Sequence, residues 1–297
     1  MTVTASAGRV QAPAGRRLAE VTANVASSGY RIFSALDSEG PTPMAGQFYM
    51  VAAGGHWTSL DERPYLPRAF SVAQATPEPG GVRLDFLVEA VGPGTERLAA
   101  LDAGEGLWLT GPLGRPFAPP TELGPDLAGA ILVGGGIGIA PLAIWRRSLV
   151  DSGVPTRVLL GFRDRIHSGG LELFASQRSP DLRLCPEVRL ASEDGHVGHR
   201  GRVTDLLAVL LQGDDARTAA VYGCGPPAML EAVRLLSRSH GVAAQLAMEA
   251  PMACGFGACM GCAVPLAGGG FMRLCVDGPI VDADEIETAL VSGSGHR

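Results

Sequence analysis

The chain has 297 residues, 46% of them hydrophobic and 18% charged, with a formal net charge of −6. That much apolar material with so little charge excludes a disordered chain, and the acidic balance argues against nucleic acid as a main partner. All 24 basic residues are Arg, which excludes a Schiff-base or P-loop lysine, and the 41 glycines follow no three-residue period that would indicate collagen.

Residues 1–17 carry Arg9, Arg16 and Arg17, no acid and no apolar stretch. They read as a solvated terminus without a signal peptide. Residues 18–122 read as β structure. The runs 47–52, 69–73 and 82–88 are rich in β-branched and aromatic residues, and Pro and Gly separate them, as at 77–81. A small antiparallel barrel is expected. The stretch 119–125, Pro-Pro-Thr-Glu-Leu-Gly-Pro, reads as a linker.

Residues 123–245 change character. An apolar strand at 130–133 meets a glycine turn at 134–138, and a helix follows from about residue 140. Further strands are expected at 157–161 and 219–222, with a helix at 227–237. Strands alternating with helices predict a parallel sheet with ligands at the strand ends. The uncharged run 127–145 is 19 residues long, enough in length to cross a bilayer. Its five glycines and Pro141 make it a buried strand–turn–helix pair instead, so no membrane span and a cytoplasmic location are expected. Residues 246–297 are rich in Gly and Cys and lack periodicity. They are expected to have little core of their own and to fold around a metal. The fold class expected is multi-domain: an antiparallel β-barrel, an α/β parallel-sheet nucleotide domain and a small C-terminal segment.

The metal reading rests on Cys spacing. Of six cysteines, four fall in the last 44 residues: Cys254, Cys259, Cys262 and Cys275. C-x4-C-x2-C with a fourth Cys downstream is the plant-type pattern for a [2Fe–2S] cluster. The intervening glycines let the loop wrap closely and aim N–H groups at sulfur. A zinc site is the rival, but it usually shows two short Cys pairs and only one exists here. Cys185 and Cys224 are not expected to be ligands.

Four other motifs allow a functional and a plain reading. Arg68-Ala69-Phe70-Ser71 offers a guanidinium for a pyrophosphate, a ring for a flat cofactor and a hydroxyl for a ring nitrogen; alone it is an ordinary edge strand. Gly92-Pro93-Gly94-Thr95 is a phosphate loop or a plain turn. Gly134, Gly135, Gly136 and Gly138 between strand and helix suit a nucleotide phosphate, or simply a tight turn. Cys224-Gly225-Pro226 sets a small thiol at a strand end over the sheet crevice; the alternative is a buried structural Cys. Arg163 and Arg165 are positioned either for a 2′-phosphate or for solvation. No nucleophile–base pair is evident.

Together these motifs resemble the ferredoxin-NADP reductase superfamily. Their order, flavin motif, nucleotide turn, then a C-terminal cluster, resembles the electron-transfer subunits of NAD-dependent dihydroorotate dehydrogenase over about residues 20–285. The resemblance implies FAD on Arg68, Ala69, Phe70 and Ser71, with further contacts from Leu87, Val88 and Glu89 and phosphate contacts from Gly94 and Thr95. Ala69 stands where the family usually has Pro. The resemblance also implies NAD(H) on Gly134, Gly135, Gly136, Gly138, Gly225 and Pro226, with Ser71 and Cys224 as candidate catalytic residues and the four cysteines holding the cluster. The expected function is electron transfer between NAD(H) and an FMN-containing dihydroorotate dehydrogenase catalytic subunit, in a heterotetramer serving pyrimidine biosynthesis. A reductase subunit for a sulfide dehydrogenase, transhydrogenase, hydrogenase or oxygenase shares this layout. A non-catalytic iron–sulfur sensor would lack the flavin motif.

Overall fold

The computed structural model describes residues 15–55, 66–174 and 187–291. Cys185 lies outside the described residues. The first sheet is built from β1 (Arg17–Ser27), β2 (Tyr30–Asp37), β3 (Phe48–Ala53), β4 (Arg68–Ser71), β5 (Gln74–Glu78) and β6 (Gly81–Glu89). A short helix α1 (Pro93–Ala99) precedes its last strand, β7 (Gly106–Leu113). The order is β4-β3-β7-β1-β2-β6-β5, all pairs antiparallel. The edge strands β4 and β5 do not pair with each other, so the expected barrel is a half-barrel.

Along the start of β1, Arg17, Ala19 and Val21 are buried while Leu18 and Glu20 are exposed, the two-residue alternation of a strand. Inside, Phe33 stacks on Phe86 with centroids 5.1 Å apart, and Tyr49 meets Phe86 edge-on at 5.9 Å. Arg17 therefore does not belong to a solvated terminus. Its Nε donates to Asp37 Oδ1 at 2.7 Å, and both residues are buried.

A single helical turn α2 (Pro120–Leu123) occupies the expected linker and leads to β8 (Gly129–Gly135). The glycine turn is a 3-10 turn, Gly136–Ile139, that runs directly into α3 (Ala140–Asp151). Then follow β9 (Thr156–Phe162), β10 (Val188–Ser192), β11 (His199–Arg200), α4 (Val203–Leu211), β12 (Ala219–Cys224), α5 (Pro227–Ser239) and β13 (Ala244–Ala247). The last strands are β14 (Ala263–Pro265), β15 (Phe271–Arg273) and β16 (Ile280–Asp282).

The second sheet has the order β11-β10-β9-β8-β12-β13-β16, parallel except for β16. All six residues of β12 are buried, as a strand covered on both faces requires. The chain moves from β8 towards β9 and β10, then returns to add β12 on the other side. The switch point between β8 and β12 opens a crevice at their carboxyl ends, where ligands of such sheets bind. Among the described residues no helix is long and apolar enough to cross a membrane.

Two expected boundaries fall inside strands: β1 begins at Arg17, and β13 spans the 245/246 position. The last segment also has more core than expected. Val264, Leu274 and Ile286 are buried with Leu207 of α4, Leu230 of α5 and Phe48 and Met50 of β3. It returns β16 to pair with β13, so it shares a core rather than building one.

Candidate functional site

One cleft of about 320 Å³ lies where the two sheets and the C-terminal segment meet. The half-barrel contributes Arg68, Ala69, Phe70 and Ser71 from edge strand β4, and Leu87 and Glu89 from the end of β6. Arg68 is anchored by donating from Nη1 to Leu66 O at 2.7 Å. Partial burial lowers its pKa, yet a guanidinium stays charged at any physiological pH. A Cβ on Gly94 would come 2.8 Å from that guanidinium, so a side chain there would displace the Arg68 head group from its position in the cleft. Thr95 lines the cleft, but its hydroxyl closes the turn before α1. It accepts from the Val91 and Gly92 N–H groups at 2.8 and 3.1 Å.

The second sheet contributes Gly138, Pro141 and Cys224. Cys224 ends β12 fully buried; burial, with the charge of Glu249 adding to it, pushes its thiol well up from the usual range. The glycine turn is as tight as its composition implies. A Cβ on Gly138 would sit 2.5 Å from Gly225 Cα, and one on Gly135 2.5 Å from Met229 Sδ. Of the nucleotide candidates, then, Gly138 lines the cleft, Gly135 and Gly225 pack against Met229 of α5, and Gly134, Gly136 and Pro226 are not among the cleft's lining residues. Val88 is fully buried and does not line the cleft. Arg163 is engaged by Asp164, with Nε donating to Oδ2 at 3.2 Å.

The third wall was not anticipated from sequence. Met248, Glu249, Ala250 and Met252 line the cleft immediately after β13. An acid just past a parallel strand's carboxyl end, leading into the Cys loop, was the available signal. From Met252 the chain enters that loop. Gly255 and Gly257 adopt φ of +78° and +86°, and a Cβ on Gly255 would meet Met50 Cγ at 2.6 Å. Met50 pairs across the sheet with Ala69, so the loop packs directly behind the Arg68–Ser71 strand.

The four loop cysteines form two thiol pairs, Cys254 with Cys259 and Cys262 with Cys275. The Cys275 N–H also donates to Cys262 Sγ at 3.5 Å. Burial opposes ionisation of Cys254, but the N–H groups of Cys259, Phe256 and Ala258 and the Cys259 thiol outweigh it and bring Cys254 down to about 6. Burial and the neighbouring Cys262 push Cys275 up to about 12. No three described Cys, His, Asp or Glu side chains converge on a single-ion position. Cys254 also acts on Cys275, so the four thiols of the two pairs neighbour one another across the loop. Around the loop, Phe256, Met260 and Phe271 are exposed, each by more than half.

Residues 249–287 match the family described as the iron–sulfur cluster binding domain of dihydroorotate dehydrogenase B. A dihydroorotate dehydrogenase B (NAD(+)) electron transfer subunit of Caldanaerobacter subterraneus subsp. tengcongensis is 33% identical over 253 residues, covering 84% of this chain and 89% of that one. The chain belongs to this family of electron transfer subunits. A probable member from Methanopyrus kandleri is 34% identical over 249 residues, covering 82% and 80% of the two chains. In structure, the chain resembles an NADH-dependent reduced ferredoxin-NADP oxidoreductase, with a TM-score of 0.73, 23% identity and coverage of 93% and 92%. It also resembles an Amycolatopsis cytochrome P450 reductase, with a TM-score of 0.58, 26% identity and coverage of 80% and 69%. The chain is thus an oxidoreductase electron-transfer component on a ferredoxin-reductase fold.

Proposed function

We propose that the chain carries electrons between NAD(H) and a dihydroorotate-oxidising partner through FAD and a [2Fe–2S] cluster. The observation that carries this reading is that the segment lining the cleft at Glu249–Met252 is the one that continues into the cysteine loop. A cofactor in the cleft and a cluster on the loop would be separated by little more than β4 and Met50.

Arg68 supplies the cation for a pyrophosphate, and Phe70 and Ser71 supply a ring and a hydroxyl along the same strand. Gly138 and Cys224 border the crevice at the β8–β12 switch point, where the nicotinamide would enter. The Cys224 thiol, kept neutral by burial, adds no charge there. Cys254, Cys259, Cys262 and Cys275 would hold the cluster, and the N–H groups around Cys254 stabilise thiolate before metal arrives. When bound, FAD exchanges electron pairs with NAD(H) and single electrons with the cluster, which is chemistry no side chain supplies. The protein contributes proximity, orientation and exclusion of water.

The exposed Phe256, Met260 and Phe271 around the loop suit an interface, there with an FMN-containing catalytic subunit, in a cytoplasmic heterotetramer serving pyrimidine biosynthesis. In that setting electrons run from dihydroorotate towards NAD+. The test is anaerobic. Purified protein should contain FAD, iron and sulfide, and NADH should bleach the flavin and then the cluster absorbance. A colourless protein that NADH leaves unchanged defeats the reading.

A further inference from the structure

The seam between the two sheets holds a charged cluster that the electron path leaves unused. The loop after β9 folds back onto the half-barrel. Gly29 N–H donates to Ile166 O at 2.8 Å, Ser28 Oγ to Arg165 O at 2.9 Å, and Gly170 N–H to Ser27 Oγ at 2.7 Å. This fold-back sets His167 against Glu89, which lines the cleft. His167 Nε2 lies 3.6 Å from Glu89 Oε1 and Nδ1 lies 2.6 Å from Asp164 Oδ1. Arg163 Nη2 is 2.6 Å from Nε2, and Tyr30, paired with Glu89 across the sheet, meets the imidazole edge-on at 6.4 Å. Glu89, Tyr30, Arg163 and Asp164 are the titratable and charged groups that face this ring.

The hydrogen bonds assign the ring's protons. Asp164 Oδ1 accepts from Ile166 N–H at 2.9 Å and His167 N–H at 3.1 Å as well as from Nδ1. The imidazole bond holds the Asp164 carboxyl well below the usual range, so Asp164 remains an acceptor and Nδ1 keeps its proton. Arg163 Nη2 also lies 3.2 Å from Nδ1, and Nε2, on the side facing Glu89, is the nitrogen left to take up or give a proton. Unprotonated, it accepts from Arg163. Protonated, it repels Arg163 and presents N–H to Glu89. The ring is partly exposed, at 23% of its side-chain area, so it touches both the cleft residue and solvent.

The electron path carries a proton that must cross the cleft boundary. A hydride is two electrons and one proton, while a cluster accepts electrons alone. For each pair taken from NADH, one proton must therefore leave the cleft; for each pair delivered to NAD+, one must enter. We propose that Glu89 and His167 pass this proton between the cleft and solvent, with Asp164 positioning the imidazole. The proposal rests on the flavin reading above.

Stopped-flow with a pH indicator in weak buffer tests it on full-length protein, using a one-electron dye to reoxidise NADH-reduced flavin. His167→Ala should keep its FAD and its rate of bleaching by NADH within about twofold. Its proton release and dye-linked reoxidation should slow by about tenfold or more, as loss of a general acid–base group does. Added imidazole should restore them. In flavin-free protein, Glu89→Gln should change the NMR signals of the His167 ring, because the carboxylate 3.6 Å from Nε2 is gone. Proton release at the wild-type rate in His167→Ala overturns the proposal, and so do His167 ring signals indifferent to Glu89→Gln. Equal loss of bleaching and proton release also overturns it, by making His167 a brace of the seam. Wild-type protein that holds no FAD, or is not bleached, defeats the flavin reading instead.

Discussion

At the scale of single residues, two side-chain sets carry the assignment. Arg68 is the half-barrel's cation in the cleft, already tethered through Nη1 to Leu66 O. A charged hydrogen bond of its kind contributes roughly 1.5–3 kcal/mol, or about ten- to a hundredfold in affinity. Arg68→Ala should lose FAD to that extent, measured by equilibrium dialysis; full retention after dilution means Arg68 is not the clamp. The thiol pairs make the second case. Cys275→Ser removes one ligand from the Cys262–Cys275 pair and should lower bound iron sharply. Cys224→Ser, at a buried strand end away from the loop pairs, should leave iron unchanged. Iron and sulfide assays decide between them, and iron loss in the Cys224 variant alone would reverse the assignment. Both sets could be named from sequence because they are local, a run of four residues and a fixed Cys spacing, and the structure brings the first to the cleft and the second onto one C-terminal loop. Glu249 and His167 were not readable, because each gains its meaning from an element far away along the chain, Cys224 for one and Glu89 for the other.

Secondary elements show a similar division. The strands β8 and β12 were visible as continuous apolar runs ending in glycine motifs, since strands buried on both faces need apolar residues throughout. The long strand β1 was not, because only alternate positions are buried at its start and of its four buried residues, Arg17, Ala19, Val21 and Ser27, one alone is strongly apolar. Arg17 looked like a terminal charge until its partner Asp37 was seen at the far end of β2. The glycine turn had two readings, and the structure shows how the tight turn is used: Gly138 touches Gly225. Gly138→Ala should therefore cost about 1–3 kcal/mol through overpacking against backbone, seen as a lowered midpoint in urea. Gly129→Ala, where the nearest neighbour is 3.5 Å away, serves as the matched control and should shift stability little.

The C-terminal segment is tied to α5 by one carboxylate. Glu231 accepts from Arg234 at 2.7 Å, from the Ala289 N–H at 2.7 Å and from Thr288 Oγ1 at 3.2 Å. The Arg234 bond leads the causes that bring Glu231 down to about 2 from its ordinary 4.5. A carboxyl depressed on folding stabilises above its unfolded pKa, and that contribution disappears as pH falls through the folded value. Glu231→Gln should cost about 2–3 kcal/mol at pH 7. The gap to wild type should close between about pH 4.5 and 2. A gap that stays constant over that range excludes this carboxylate as the anchor.

At the scale of the whole molecule, everything converges on one cleft shared by two sheets and the cluster segment. Its ionisable side chains are Arg68, Glu89, Cys224 and Glu249. Removing a proton from a dihydropyrimidine carbon needs a base of tuned pKa within hydrogen-bond reach of that carbon. Cys224 is a poor candidate, since burial raises its thiol far above neutrality, and Arg68 cannot act as a base. Glu89 and Glu249 are the two carboxylates left, and in the proposed function both serve a bound cofactor rather than a dihydropyrimidine, which assigns the carbon chemistry to the partner. The chain alone should oxidise NADH with a dye acceptor and leave dihydroorotate untouched. Adding an FMN-bearing dihydroorotate dehydrogenase subunit should create NAD-linked dihydroorotate oxidation. Cys275→Ser should abolish that coupled activity while leaving dye reduction largely intact, because the dye can take electrons before the cluster. Dihydroorotate oxidation by the isolated chain would refute the division of labour. Restoration of turnover by a sulfur-reducing, hydrogenase or oxygenase component, and not by the FMN subunit, would keep the electron path and replace the partner.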